Sequence, residues 1–302
     1  MSDEYQSAFE ERSCYPGERP PTVEWVMVLN VRTWGEAEHG CVVCVHGVTQ
    51  HGAIFEPLGK RLADLGFLVL AVDLRGHGAS DRMPPWSTDR HAQDLLETLS
   101  SRGVRRATLV GHSFGGRVAA AAAASAPELT ERLVLLDPGL EIPPARALRG
   151  AEMDRLDWSF ETPEGAVNAL TGGSRAPRSI VADYVEENVH QGSDGRYRFG
   201  FCPGAVVTAW SEMCLPAPPI AEAQTLVVCS EASAFAASLE QRYRAALGPG
   251  FARVQVPGGH NMLWESREET VQAVEGFLLG APPPADPQPG YIDGAGAFQP
   301  LL

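Results

Sequence analysis

Short runs of apolar residues constrain this chain more than any other feature. The runs at 41–45, 67–72, 107–110, 133–136 and 225–229 are too brief for helices, and 252–256 reads as a further strand. Strands without polar alternation are buried on both faces, as in a parallel sheet covered by helices. Segments of helical spacing fall between them. Phe55, Leu58, Leu62 and Leu65 share one helical face, as do Ala92, Leu95, Leu96 and Leu99, and later Val271, Val274 and Leu278. Residues 117–126 form an alanine-rich helix. From about 140 to 219 the alternation stops, leaving helical pieces such as 164–170 and 179–190, Gly- and Pro-rich turns and no convincing strand. The expected fold class is therefore α/β, with a mostly parallel central sheet covered by helices on both faces and an inserted helical segment. Residues 281–302, with three consecutive prolines and several glycines, are expected to be a disordered tail.

Charge narrows the partners. Lys and Arg number 24 against 38 Asp and Glu, a net charge of −14 over 302 residues. That balance opposes nucleic-acid binding, which needs a basic face, and adhesion to an anionic membrane. No run reaches the roughly 18 apolar residues of a membrane helix. The acidic stretch 1–11 lacks the apolar centre of a secretory signal, so a cytoplasmic location is expected. Cys41 and Cys44 have the spacing of a metal pair. They fall on one predicted strand, where residues three apart face opposite ways, so no metal is expected there.

The strongest chemical signal is Gly111-His112-Ser113-Phe114-Gly115-Gly116, between the strand 107–110 and a helix. This is G-x-S-x-G in its strand–turn–helix setting, where a sharp turn exposes a serine nucleophile. Gly111 and Gly115 remove side chains that would collide in the turn. A hydroxyl needs a base to take its proton. His260, in Pro257-Gly258-Gly259-His260-Asn261 just after the last strand, is the candidate, because α/β sheets present functional groups at strand carboxyl ends. The loop His46-Gly47-Val48 after the strand 41–45 offers the backbone N–H of Val48, which with that of Phe114 forms an oxyanion hole. His46 reads as a brace for its loop, and His51 stays undecided.

Four motifs now stand in order: His46-Gly47, Asp73-Leu74-Arg75-Gly76-His77-Gly78, the Ser113 turn, and Gly259-His260 with its closing helix. Together they resemble the α/β-hydrolase family with a helical cap, over roughly 23–280. The resemblance implies a discontinuous core of 1–139 and 220–280, a cap or lid at 140–219, and no cofactor or metal. It implies Ser113 as nucleophile, His260 as general base and acid, Val48 and Phe114 as oxyanion donors, and Asp73 and Arg75 as loop braces. The third catalytic member departs from the family pattern. Its usual place, after the strand 225–229, holds Ser233 and Ala234, which cannot ionise. Asp137, at the end of the strand after the serine helix, is the preferred acid, as in some members of the family. Glu231 is the second candidate, and a missing acid the third possibility.

A serine at the turn argues against epoxide hydrolases and dehalogenases, which carry aspartate there. The insertion holds Trp158, Phe160, Tyr184, Tyr197, Phe199, Phe201, Trp210 and Met213, which suit an apolar acyl or ring substrate. Arg196 and Arg198 could meet a carboxylate but read better as solvated charges. The resemblance thus implies a carboxylesterase or lactonase acting on a small ester or lactone. A perhydrolase, a lyase like that of the menaquinone pathway, and a ligand-binding protein on the same fold are the alternatives.

Overall fold

The computed structural model describes residues 28–155, 158–231, 233–280, 290–292 and 298–300. Seven strands form its central sheet. They are β1 (Val31–Trp34), β2 (Cys41–Val45), β3 (Leu68–Val72), β4 (Ala107–His112), β5 (Thr130–Leu136), β9 (Gln224–Cys229) and β10 (Phe251–Gln255). Their spatial order is β1-β3-β2-β4-β5-β9-β10. All neighbours run parallel except β1, which pairs antiparallel with β3. The buried apolar strands thus form the expected mostly parallel sheet. Edge strand β1 escaped the sequence reading because Val-Arg-Thr-Trp is only half buried and carries no apolar run.

The crossovers decide where the helices lie. β2 leads through α1 (Glu56–Asp64) to β3 on one side. β3 leads through α2 (Thr88–Ser101) to β4, and β4 through α3 (Phe114–Ser125) to β5, both toward the other side. Right-handed crossovers that travel in opposite directions put their helices on opposite faces. So α1 covers one face, and α2 and α3 the other. The last helix, α10 (Arg267–Leu278), joins α1, where Arg61 bridges to Glu275 at 2.8 and 2.9 Å. α3 is nearly all small: Ala119, Ala120, Ala121, Ala122 and Ala123 are buried, which lets the helix lie close on the sheet. The direction of travel reverses between β2 and β4. The loops leaving those two strands part there and open a crevice at their carboxyl ends, the usual ligand position in an open α/β sheet.

Between β5 and β9 lie α4 (Pro144–Asp154), α5 (Pro163–Thr171), α6 (Arg178–Asn188) and α7 (Pro203–Glu212). The insertion is not purely helical, as its sequence suggested. β6 (Ser159–Phe160), β7 (Val189–Gln191) and β8 (Tyr197–Phe199) form a small antiparallel sheet in the order β6-β8-β7. Strands of two or three residues are too short to show a period. The turn signal was present, since Asp194-Gly195 closes the β7–β8 hairpin with Gly195 at φ 76°. After β9 comes α8 (Ala237–Leu247), and after β10 the short α9 (Met262–Glu265).

The acidic stretch 1–11 lies outside the described residues, as does most of 281–302. What is described of the latter is a pair of antiparallel strands, β11 (Gly290–Ile292) and β12 (Phe298–Pro300), where the sequence suggested disorder. Among the described residues no helix is long and apolar enough to cross a membrane.

Candidate active site

Ser113 sits between the end of β4 and the first turn of α3. Its φ of 55° and ψ of −119° lie outside the regions an L-residue favours. Three glycines make the turn possible. A Cβ on Gly111 would collide with the Gly115 carbonyl, and one on Gly115 with the Val45 carbonyl. One on Gly116 would stand 2.9 Å from Pro138 Cβ. The hydroxyl is thereby raised into the crevice, where it is 5% exposed.

The strand ends bring three side chains into line. Ser113 Oγ lies 2.9 Å from His260 Nε2, and His260 Nδ1 lies 2.6 Å from Asp137 Oδ2. The carboxylate fixes the tautomer: the ring proton sits on Nδ1 and donates to Asp137, leaving Nε2 to accept from the serine. Asp137 is also at positive φ, 40°. Its amide donates to the Val228 carbonyl at 2.7 Å, and Ser230 donates from its amide to Oδ1 and from its hydroxyl to Oδ2. Burial alone would raise the Asp137 pKa. The hydrogen bond and charge of His260 outweigh it, with help from Ser233 and Ser230, and lower it to about 2. The carboxylate is therefore ionised at neutral pH. Glu231 is placed elsewhere: it is half exposed and paired with Arg175 at 2.9 Å.

The oxyanion candidates flank the serine. Phe114 opens α3, so its amide has no acceptor within the helix. The loop after β2 passes close by, since a Cβ on Gly47 would stand 3.2 Å from Ser113 Cβ. Val48 follows, its carbonyl held by His77 Nε2 at 2.7 Å.

Other residues hold these loops. His46 accepts from the Leu74 amide at 2.9 Å and donates to the Gly47 carbonyl at 2.7 Å, the bracing its position suggested. Asp73 accepts from Asn30 Nδ2 and from the Gly52 and Ala79 amides. Arg75 makes a buried two-pronged contact with Asp94 at 2.7 and 2.8 Å. His51, undecided from sequence, caps Ala53 and stacks on Tyr184.

Sequence reasoning missed a network beneath the base. His112 spans Gln50 Oε1, 2.9 Å from Nδ1, and the His260 carbonyl, 2.9 Å from Nε2. Gln50 accepts from the Gly47 amide and donates to Asn261 Oδ1. Burial lowers the His112 pKa to about 4, so its ring is neutral at physiological pH and donates its single N–H to one of these two oxygens at a time. The network ties the oxyanion loop to the histidine loop. His112 stood inside the motif, but nothing in its spacing marked this role.

A cavity lies between the insertion and the loops of Gln50 and Asn261. Thr49, Gln50 and Asn261 form its polar edge; Trp158, Tyr184, Phe199, Phe201, Leu170 and Trp264 form the rest. It is narrow, with about 30 Å³ of open space. Four of the predicted aromatics thus line it. Phe160 packs edge-on against Trp158. Trp210 donates to Asp154 and packs over Gly150, and Met213 is fully buried. Trp264, one helical turn past His260, was not foreseen. Arg196 is bonded to Ser159 and Arg198 to Asp194. Among the described residues no group of three or more His, Cys, Asp or Glu is placed to hold a metal ion.

A serine, a histidine and an aspartate in line at the crevice of a mostly parallel sheet define a hydrolase of the α/β class. The comparisons agree. A family described as alpha/beta hydrolase fold matches residues 40–182. The chain is 32% identical over 268 residues to lipase LipV of Mycobacterium tuberculosis, covering 84% of this chain and 99% of that one. It is 32% identical over 266 residues to the 2-(acetamidomethylene)succinate hydrolase of Mesorhizobium japonicum, covering 83% and 92%. The crystal structure of an E-2-(acetamidomethylene)succinate hydrolase superposes with a TM-score of 0.74 at 28% identity, covering 84% and 95%. The chain belongs to the α/β-hydrolase family, and it is a hydrolase.

Proposed function

We propose that this chain is a serine hydrolase that cleaves a carboxylic ester or lactone of a small, mainly apolar substrate through an acyl-enzyme on Ser113. The observation that carries the reading is the continuous contact from Ser113 Oγ through His260 to Asp137, at 2.9 and 2.6 Å. Ser113 attacks the carbonyl carbon while His260 Nε2 takes its proton. Asp137 orients the ring and stabilises the imidazolium. The amides of Val48 and Phe114 receive the developing oxyanion, each donor contributing about 3–4 kcal/mol in the transition state. His260 then protonates the leaving alcohol. Water, activated by the same histidine, releases the acid.

Residues 140–219 act as the cap over the core of 1–139 and 220–280, supplying most of the aromatic wall. Its aromatic lining suits an apolar acyl chain or ring. The binding-protein reading rested on a displaced acid, and the short Asp137–His260 contact supports the catalytic reading over it.

The test is hydrolysis of p-nitrophenyl esters from acetate to palmitate. The acyl length that gives the highest activity measures the pocket, and a fluorophosphonate should label Ser113. A protein that resists the fluorophosphonate at Ser113 would not be a serine hydrolase. A labelled protein inert to every ester would keep its nucleophile and lose its assigned substrate class.

A further inference from the structure

The loop that carries His260 rests on a carboxylate the mechanism does not use. Gly259 N–H donates to Glu265 Oε2 at 2.7 Å. The other carboxylate oxygen, Oε1, accepts from Ser174 Oγ at 3.0 Å. Ser174 belongs to the insertion, in the turn between α5 and α6. One side chain therefore joins the residue before His260 to the insertion. The Ser174 hydroxyl is set for this, since its oxygen accepts from the Ala176 amide at 3.1 Å and its single proton is left for Glu265. The loop lies directly on the carboxylate. A Cβ on Gly259 would stand 2.9 Å from Glu265 Oε2, and one on Gly258, at φ 85°, 2.8 Å from Ser266 Oγ.

The next residue of the insertion makes a second link. Arg175 reaches Glu231 at 2.9 Å, and the Glu231 amide donates to the Gly258 carbonyl at 3.2 Å. Glu231 adjoins Ser230, which holds Asp137. Ser174 and Arg175 thus touch both loops that position the base and the acid. The two links are unequal. Arg175 and Glu231 have side chains 71% and 50% exposed, and such a pair contributes little in water. Glu265 is partly buried and accepts two hydrogen bonds as a charged group, the stronger kind.

We infer that Glu265 is a positioning residue: it sets His260 through the Gly259 amide, and it does so fully only while Ser174 is docked. Seating of the insertion over the pocket and readiness of the base are then one event. Substrate held under the seated insertion meets an aligned histidine, and an unseated insertion leaves the base loose. The inference rests on the reading of His260 as general base.

The test compares Glu265→Ala, Glu265→Gln and Ser174→Ala in the full chain, by ester kinetics, by the rate of fluorophosphonate labelling at Ser113, and by hydrogen exchange over 257–261. Misplacing a catalytic group by an ångström costs on the order of 10²-fold, so Glu265→Ala should lower kcat by about that factor with little change in KM. Glu265→Gln should recover most of the loss, because its amide can accept from Gly259 and donate to Ser174. Ser174→Ala should lower kcat several-fold and speed exchange over 257–261 at unchanged melting temperature. In the double variant the effects should not add, as for residues acting through one contact. Ser174→Ala with wild-type kcat and wild-type exchange would overturn the coupling. Equal losses in Glu265→Gln and Glu265→Ala would show that charge, not position, matters, and would overturn the assignment. Should Glu265→Ala fail to fold, Glu265→Gln and Ser174→Ala still decide. Should the wild type hydrolyse no ester, the functional reading fails on its own, and exchange over 257–261 still reads the clasp.

Discussion

Two residues of the candidate triad, Ser113 and Asp137, sit at positive φ, a conformation that costs side-chain-bearing residues of order 1–3 kcal/mol and survives only when the surroundings impose it. For Ser113 the imposition was legible, because Gly111 and Gly115 bracket it in sequence. For Asp137 it was not. What holds that backbone is the hydrogen bond from its amide to the Val228 carbonyl on a neighbouring strand, some ninety residues away. Asp137 could therefore be preferred from sequence but not separated from Glu231 until distances were known. The choice has a kinetic consequence. Ser113→Ala should lower kcat by roughly 10⁴–10⁶-fold, the loss typical of a nucleophile acting within a triad, while the melting temperature stays near that of wild type, because alanine keeps the Cβ and the backbone of the turn. Asp137→Asn should cost on the order of 10⁴-fold, because an amide favours the wrong imidazole tautomer. Glu231→Gln should stay within a few-fold of wild type. A larger loss in Glu231→Gln than in Asp137→Asn would reverse the assignment of the acid.

Among the elements, the most telling are the loops that leave β2 and β4. The sequence marked both by glycine, and the structure shows how little room one of them leaves for a side chain. A Cβ on Gly47 would meet Gln50 Oε1 at 3.0 Å, His112 Nδ1 at 3.1 Å and Ser113 Cβ at 3.2 Å. These atoms belong to the network joining the oxyanion loop to the histidine loop, so the intrusion would displace the Val48 amide. Gly47→Ala should therefore act as the loss of one oxyanion donor, lowering kcat by about 10²–10³-fold with KM little changed. Kinetics on a short acyl ester would check it, and a change confined to KM would mean that the loop binds substrate without stabilising the transition state. The inner strands β2, β3, β4, β5 and β9 were readable because each leaves a buried, continuous apolar run. The small sheet β6-β8-β7 was not, because its strands span only two or three residues and one ends an amphipathic helix. Trp264 was unreadable for a related reason. It lies on a four-residue helix, too short for any periodicity to show which way a side chain points.

At the scale of the whole molecule, the crevice is packed round with histidines kept neutral by burial. His46, His51, His77, His91 and His112 are all buried, and burial lowers the pKa of each, to about 4 for His51 and His112 and about 3 for His91. In the unfolded chain these rings titrate near 6.5. Between 6.5 and the folded values the unfolded state binds more protons, so stability rises with pH and is lost as pH falls. Each such ring contributes about 1.4 kcal/mol per pH unit through that window. Several such rings together draw on a large part of the 5–15 kcal/mol that holds a typical domain. Asp137 has the same sign in a lower window: its pKa is depressed to about 2, so its contribution is present above about 4 and disappears only between there and 2. The histidines should therefore unfold the protein first. Melting temperature should fall steeply from pH 6.5 to 5, well above the range where carboxylates titrate. His91 isolates the effect, because among the described residues neither ring nitrogen has a hydrogen-bond partner and the ring stands edge-on to Phe114 at 5.5 Å. His91→Leu should flatten the slope of stability against pH by about one proton's worth, read by chemical denaturation at pH 7, 6 and 5. A slope unchanged by the substitution would mean that His91 is already protonated in the folded protein, and the acid sensitivity would then have to come from the histidines nearer the serine.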